Sequence, residues 1–170
     1  MLREGGLIRE RRDEAGHNWF QAEPASPVFE ELKAIVSKLA SRSQGGETIL
    51  VVEDQPATAQ ITRILLESWG YHVLEAHGGI EAIAIFEQNG DTIHLLLTDI
   101  IMPGVNGIEL ARELVRRSPR LRVVYMSGYP SEEWKGDGAA FLAKPFNPAS
   151  LSKAIRKELD RTGPRHMNLS

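Results

Sequence analysis

From residue 48 onward, short apolar runs alternate with segments whose apolar residues recur every three or four positions. The runs are ThrIleLeuValVal at 48–52, TyrHisValLeu at 71–74, IleHisLeuLeuLeu at 93–97, LeuArgValValTyrMet at 121–126 and AlaAlaPheLeu at 139–142. All are of strand length, and three are almost unbroken, which suits strands covered on both faces of a parallel sheet. The segments between them carry helix signals. Pro56 stands where a first-turn proline is tolerated, Ile61, Ile64 and Leu65 follow helical spacing, and Gly70 is placed to end that helix. A second helix is predicted with Ile80, Ile83 and Ala84 on one side, ending near Gly90. A third runs from about Asn106, with Ile108, Ala111 and Val115 inward, and stops before Pro119. In the last, Asn147 is an N-cap, Pro148 fills the first helical position, and Leu151, Ile155 and Leu159 recur every fourth residue.

Strand and helix in alternation predict a right-handed parallel α/β sheet with helices on both faces, and such sheets form their sites where the strands deliver their carboxyl ends. Glu53 and Asp54 follow the first run, Asp99 the third, Ser127 the fourth and Lys144 the fifth. Each alone is ordinary: an acid caps the next helix, a serine starts a turn, and a lysine beside proline is solvated. Together they converge on one sheet edge. Two carboxylates ~4 Å apart repel by about 4 kcal/mol at an effective dielectric of 20, so three require a cation or raised pKa values. An oxygen-only donor set suits a hard octahedral ion such as Mg²⁺. Lys144 adds a mobile positive charge and Ser127 a hydroxyl. A carboxylate nucleophile, a metal site and these two groups would together stabilise a phosphoryl group in transfer.

Composition narrows the picture. The 170 residues fit one domain plus an appendage, with 42% hydrophobic and 25% charged residues. The net charge of −3 gives no electrostatic reason to expect nucleic acid. The absence of cysteine removes disulfides, thiolate zinc sites and Cys nucleophiles. The start lacks the apolar stretch of a signal peptide, and no run approaches the ~18–20 apolar residues of a membrane span. The expectation is a cytoplasmic protein that binds neither nucleic acid nor membrane. His17, His72, His77, His94 and His166 show no ligand spacing, and no Gly-rich ATP-binding signature is present.

ValValGluAspGln at 51–55, AspIleIleMetProGlyValAsnGly at 99–107, MetSerGlyTyr at 126–129 and LysProPhe at 144–146 resemble the four signatures of the response-regulator receiver domain of two-component signalling. The resemblance spans about 47–161. It implies a flavodoxin-like, doubly wound five-stranded parallel sheet of order 2-1-3-4-5 that acts as a phosphorylation switch or relay. Asp99 would accept a phosphoryl group from a phosphohistidine of a histidine kinase or histidine phosphotransfer protein. Asp54 would ligate Mg²⁺ directly and Glu53 through water, with the backbone carbonyl of Ile101 completing the set. Lys144 would contact the phosphoryl oxygen, Ser127 would swing toward it, and Phe141 would turn inward with Ser127. A core role for Phe141 is an equal reading. The Lys144–Pro145 bond would be cis. Such a domain is not a classical enzyme, although it catalyses its own phosphorylation and dephosphorylation. An aspartyl-phosphate hydrolase of the haloalkanoate-dehalogenase type needs a second acid where Ile101 stands. A flavin-binding flavodoxin needs a hydroxyl-rich loop where GluAspGlnProAla stands.

Two regions depart from the pattern. Only 16 residues separate Ser127 from Lys144, leaving room for a shortened fourth helix that puts the standard receiver dimer in doubt; Trp134 there either covers core or anchors a partner. Residues 1–46 form an arm ahead of the domain, bounded by SerArgSerGlnGlyGly at 41–46. Residues 1–25 are charged and aperiodic, which predicts a flexible arm. Phe29, Leu32, Val36 and Leu39 form one stripe, so an amphipathic helix is expected at about 27–41 as an N-terminal helical extension. It could dock on the receiver, pair two copies into a homodimer, or be a connector remnant. The junction also resembles those ahead of C-terminal receivers of hybrid histidine kinases, which leaves open a receiver separated from such a kinase. Residues 162–170 form a polar, flexible tail too short for an output domain.

Overall fold

The computed structural model describes residues 8–12, 18–22, 46–128 and 139–162. Two short strands, β1 (Ile8–Arg12) and β2 (Asn18–Ala22), pair antiparallel with Ile8 opposite Ala22. This ribbon lies within residues 1–25, where the sequence predicts a flexible arm. The amphipathic helix at about 27–41, the segment around Trp134 and the tail from 163 lie outside the described residues.

The main body follows the predicted alternation: β3 (Thr48–Val52), α1 (Pro56–Ser68), β4 (His72–Ala76), α2 (Gly79–Asn89), β5 (Ile93–Asp99), α3 (Gly107–Arg117), β6 (Arg122–Ser127), β7 (Ala140–Ala143) and α4 (Pro148–Leu159). The five strands β3–β7 form a parallel sheet in the order β4-β3-β5-β6-β7, which is the 2-1-3-4-5 arrangement. Their side chains alternate between two apolar layers, as strands buried on both faces must. Leu50, Val52, Leu96, Val123 and Tyr125 face α2 and α3, meeting Ala82, Phe86, Leu110 and Leu114. Ile49, Val51, Leu95, Leu97, Val124 and Met126 face α1 and α4, meeting Leu65, Leu66, Leu151 and Ile155.

The helix ends obey local chemistry. Pro56 begins α1, and Gly70, at φ +86°, turns the chain just beyond it. Asn106 caps α3 by accepting from the Glu109 N–H at 2.9 Å. Asn147 and Ser150 form a reciprocal capping box at α4, with Pro148 in its first turn. The faces of two helices differ from expectation. Ile80 is 79% exposed, and α2 buries Gly79, Ala82 and Phe86 instead; in α1, Ile61 is 38% exposed while Ala59, Thr62, Leu65 and Leu66 turn inward. No helix among the described residues is long and apolar enough to cross a membrane.

Candidate phosphoacceptor and metal site

Strand register sets the site. Val52 stands opposite Thr98, so the next residues, Glu53 and Asp99, leave β3 and β5 at the same level. Asp99 stands opposite Met126 and Ser127 opposite Ala143, which places Ser127 and then Lys144 one step farther out. Backbone bonds hold these ends: Glu53 N–H donates to the Ala76 carbonyl at 3.1 Å, Ile100 N–H to Met126 at 2.9 Å, and Lys144 N–H to Ser127 at 2.8 Å. The Lys144–Pro145 peptide is cis.

Glu53, Asp54 and Asp99 each offer a carboxylate oxygen within 4.8 Å of the others. Glu53 is fully buried, and Asp99 and Ser127 are 5% and 1% exposed. Lys144 bridges two of the acids, its ammonium donating to Glu53 Oε2 and, at 2.5 Å, to Asp99 Oδ2. Backbone donors take the other oxygens of the same pair: Gln55 N–H reaches Glu53 Oε1 at 3.2 Å, and Ile101 N–H reaches Asp99 Oδ1 at 3.0 Å. Burial pushes the Glu53 carboxyl above its ordinary pKa; Lys144 pulls against this, and the neighbouring Asp99 adds to the rise. Asp54 Oδ1 is buried and has no hydrogen-bond partner among the described residues. An orphaned carboxylate oxygen beside two further acids, with neither His nor Cys, is a donor set that fits Mg²⁺.

A cleft of about 550 Å³ opens onto Asp99, Ser127 and Lys144. Gln55 and, on α1, Thr58, Ile61 and Thr62 form one wall, with Ile101, Pro145 and Phe146 around the rest. The structure therefore brings together Glu53, Asp54, Asp99, Ile101, Ser127 and Lys144. Phe141 is half-buried against the layer shared with α2 and α3.

Two contributors escaped the sequence reading. Gly107 opens α3 so close to β5 that a β-carbon would lie 1.9 Å from the Asp99 carbonyl oxygen. The signal was available, because a glycine at a helix start marks close backbone approach. Thr62 lies fully buried in the cleft wall, its hydroxyl without a hydrogen-bond partner among the described residues. Nothing in the spacing of α1 announced it.

Comparison with known proteins identifies the family. The model of the response regulator receiver domain matches residues 49–156. The sensor kinase CckA of Brucella abortus is 32% identical over 141 residues, covering 80% of this chain and 15% of the kinase. The aerobic respiration control protein ArcA of Escherichia coli K12 is 36% identical over 119 residues, covering 67% of this chain. The chain thus spans about half of ArcA, at 49%, and far less of CckA. Among solved structures, the receiver domain of the hybrid histidine kinase CckA superposes with a TM-score of 0.59 at 37% identity, covering 66% of this chain and 99% of that one. The response regulator TrrA of Thermotoga maritima, in complex with Mg²⁺ and BeF, gives 0.58 at 28% identity, covering 65% and 97%. The chain belongs to the response regulator receiver domain family.

Proposed function

We propose that Asp99 takes a phosphoryl group from a phosphohistidine on a histidine kinase or histidine phosphotransfer protein and holds it as an acyl phosphate. The observation that carries this reading is the convergence of Glu53, Asp54 and Asp99 under the bridging ammonium of Lys144. Receiver domains are the phosphoacceptors of two-component signalling, and the family is a switch rather than a classical enzyme. Glu53, Asp54, Asp99 and the Ile101 carbonyl would hold Mg²⁺, which supplies charge neutralisation for the phosphoryl oxygens when bound.

The protein's own groups account for the rest. A carboxylate oxygen of Asp99 attacks phosphorus while the P–N bond breaks, and its electron pair remains on the imidazole nitrogen of the donor. The cleft admits the donor, and Ile101 N–H orients the Asp99 carboxylate. Lys144 then meets the phosphoryl oxygens instead of a bare carboxylate, and the Ser127 hydroxyl lies at the same edge to donate to them. Phe141 follows Ser127 as the aromatic half of the response, which takes place in the cytoplasm.

Incubation with Mg²⁺ and acetyl phosphate should add one acid-labile phosphoryl group by intact mass, and Asp99→Asn should abolish it. Undiminished labelling of Asp99→Asn would overturn the assignment.

A further inference from the structure

We infer that the β1–β2 ribbon is a guard on α1: it holds the flank of that helix beside the Asp99 cleft, where a protein-sized partner must displace it and a small molecule passes by. The seat of the ribbon is independent of the phosphoacceptor reading; only the purpose of the guard, to select among phosphodonors by size, rests on it.

The sides of α1 carry the inference. Ala59, Thr62, Leu65 and Leu66 are buried, and Thr58, Ile61 and Thr62 line the cleft. Ala57, Gln60 and Ile64 follow one another at spacings of three and four, which places them on one outer stripe. All three are half-buried. Ile64 nevertheless belongs to neither apolar layer that the sheet shares with its helices. β2 supplies the cover, because α1 is the element of the main body against which it chiefly lies. Ile61 stands between the outer stripe and Thr58 on the circumference of the helix, so a ribbon seated on that stripe borders the cleft wall.

A phosphohistidine carried on a protein reacts with Asp99 only when the reacting atoms approach within ~3–3.5 Å. That approach presses the carrier against the walls of the cleft, α1 among them. The flank held by the ribbon is then in the carrier's way, whereas acetyl phosphate meets no such obstacle. The guard is also able to leave. A two-stranded ribbon is at best marginally stable alone, and neither of its strands belongs to the five-stranded sheet, so its departure breaks no strand pairing in the main body.

The chain has no cysteine, so a single thiol placed in the whole protein reacts without competition. A nitroxide on Gln21→Cys in β2 should broaden the amide signals of Ala57, Gln60 and Ile64 and spare those of Glu109 and Arg112 on α3, which packs on the other face of the sheet. Equal broadening on both helices, or none on α1, would overturn the seat, and this measurement needs no disrupted ribbon. The guarding is read at Ile61→Cys from its alkylation by iodoacetamide and by a maleimide carried on lysozyme. Adding Phe20→Pro, which takes an N–H from the middle of β2, should abolish the nitroxide effect on α1. It should also raise the lysozyme rate about tenfold and leave the iodoacetamide rate within about twofold. An unchanged lysozyme rate, or equal acceleration of both reagents, would overturn the guard. Acetyl phosphate should label Phe20→Pro at the wild-type rate, and faster labelling would refute selection by size. A wild type that takes no label at all removes the phosphoacceptor reading and leaves the seat and the thiol rates to decide the guard.

Discussion

Glu53 keeps a carboxylate where water does not reach, and burial lifts its pKa above the ordinary value of 4.5 despite Lys144. The folded state thus holds that proton more firmly than the unfolded chain does. Stability tied to it is complete below the ordinary carboxylate range and is lost as pH rises through the elevated native value. Glu53→Gln removes this titration, so its unfolding free energy relative to wild type should increase between about pH 4 and about pH 7. Urea denaturation at both ends would show it, and a difference constant with pH would refute the attribution. Thr62 poses the opposite problem, a neutral hydroxyl buried without a partner among the described residues. Replacing it with valine keeps the shape and removes the desolvation cost. Thr62→Val should gain about 1 kcal/mol in the same assay, and a loss of that size would show that the hydroxyl is satisfied in solution.

At the scale of elements, α3 is pinned to the end of β5. Gly107 N–H donates to the Ile100 carbonyl at 2.9 Å, and the missing side chain lets the helix start touch the Asp99 backbone. Gly107→Ala should cost about 3 kcal/mol or more, since the obstacle is backbone that cannot rotate away. Thermal unfolding would measure it, and a change below about 0.5 kcal/mol would mean that the contact is looser than described. Much of this layer was legible in the chain. The strand ends carried the site residues in order, and Pro56, Asn106 and Asn147 marked helix starts where the structure has them. The faces of α1 and α2 were less so. In IleGluAlaIleAlaIlePhe the apolar residues surround most of the helix, so spacing alone does not choose between Ile80 and Phe86; contact with the sheet does. The β1 strand hides for a different reason, since four of its five residues are charged and leave no alternation to read.

Across the whole molecule, a second polar cluster lies at the opposite pole of the sheet from Asp99. Arg156 on α4 donates to Glu47 at 3.0 Å, to the Tyr71 hydroxyl at 3.3 Å and to Asp160 at 2.5 Å. The Asp160 carboxylate is the chief cause that lifts the guanidinium above its usual range, and burial opposes it. Burial also pushes on Glu47, but its backbone donor and Arg156 outweigh it and leave that carboxyl below its ordinary value. Arg156→Ala leaves the Tyr71 hydroxyl, in a residue only 3% exposed, without this donor. The expected loss is about 1–2 kcal/mol, read as a lower urea midpoint, with labelling of Asp99 by acetyl phosphate retained. A variant that keeps its midpoint, or one that loses labelling while folded, would contradict this division.

Close by, Arg122 at the start of β6 donates to the Arg161 carbonyl at 2.5 Å, while Arg161 pairs with the buried Glu158. Residues 47 and 161 are thus fastened where the strands begin, whereas Asp99 sits where they finish. A dye, an affinity tag or a surface tether joined at either of these two positions would leave from the far side of the sheet. The molecule can be held by that side with the cleft at Asp99 still facing the solution.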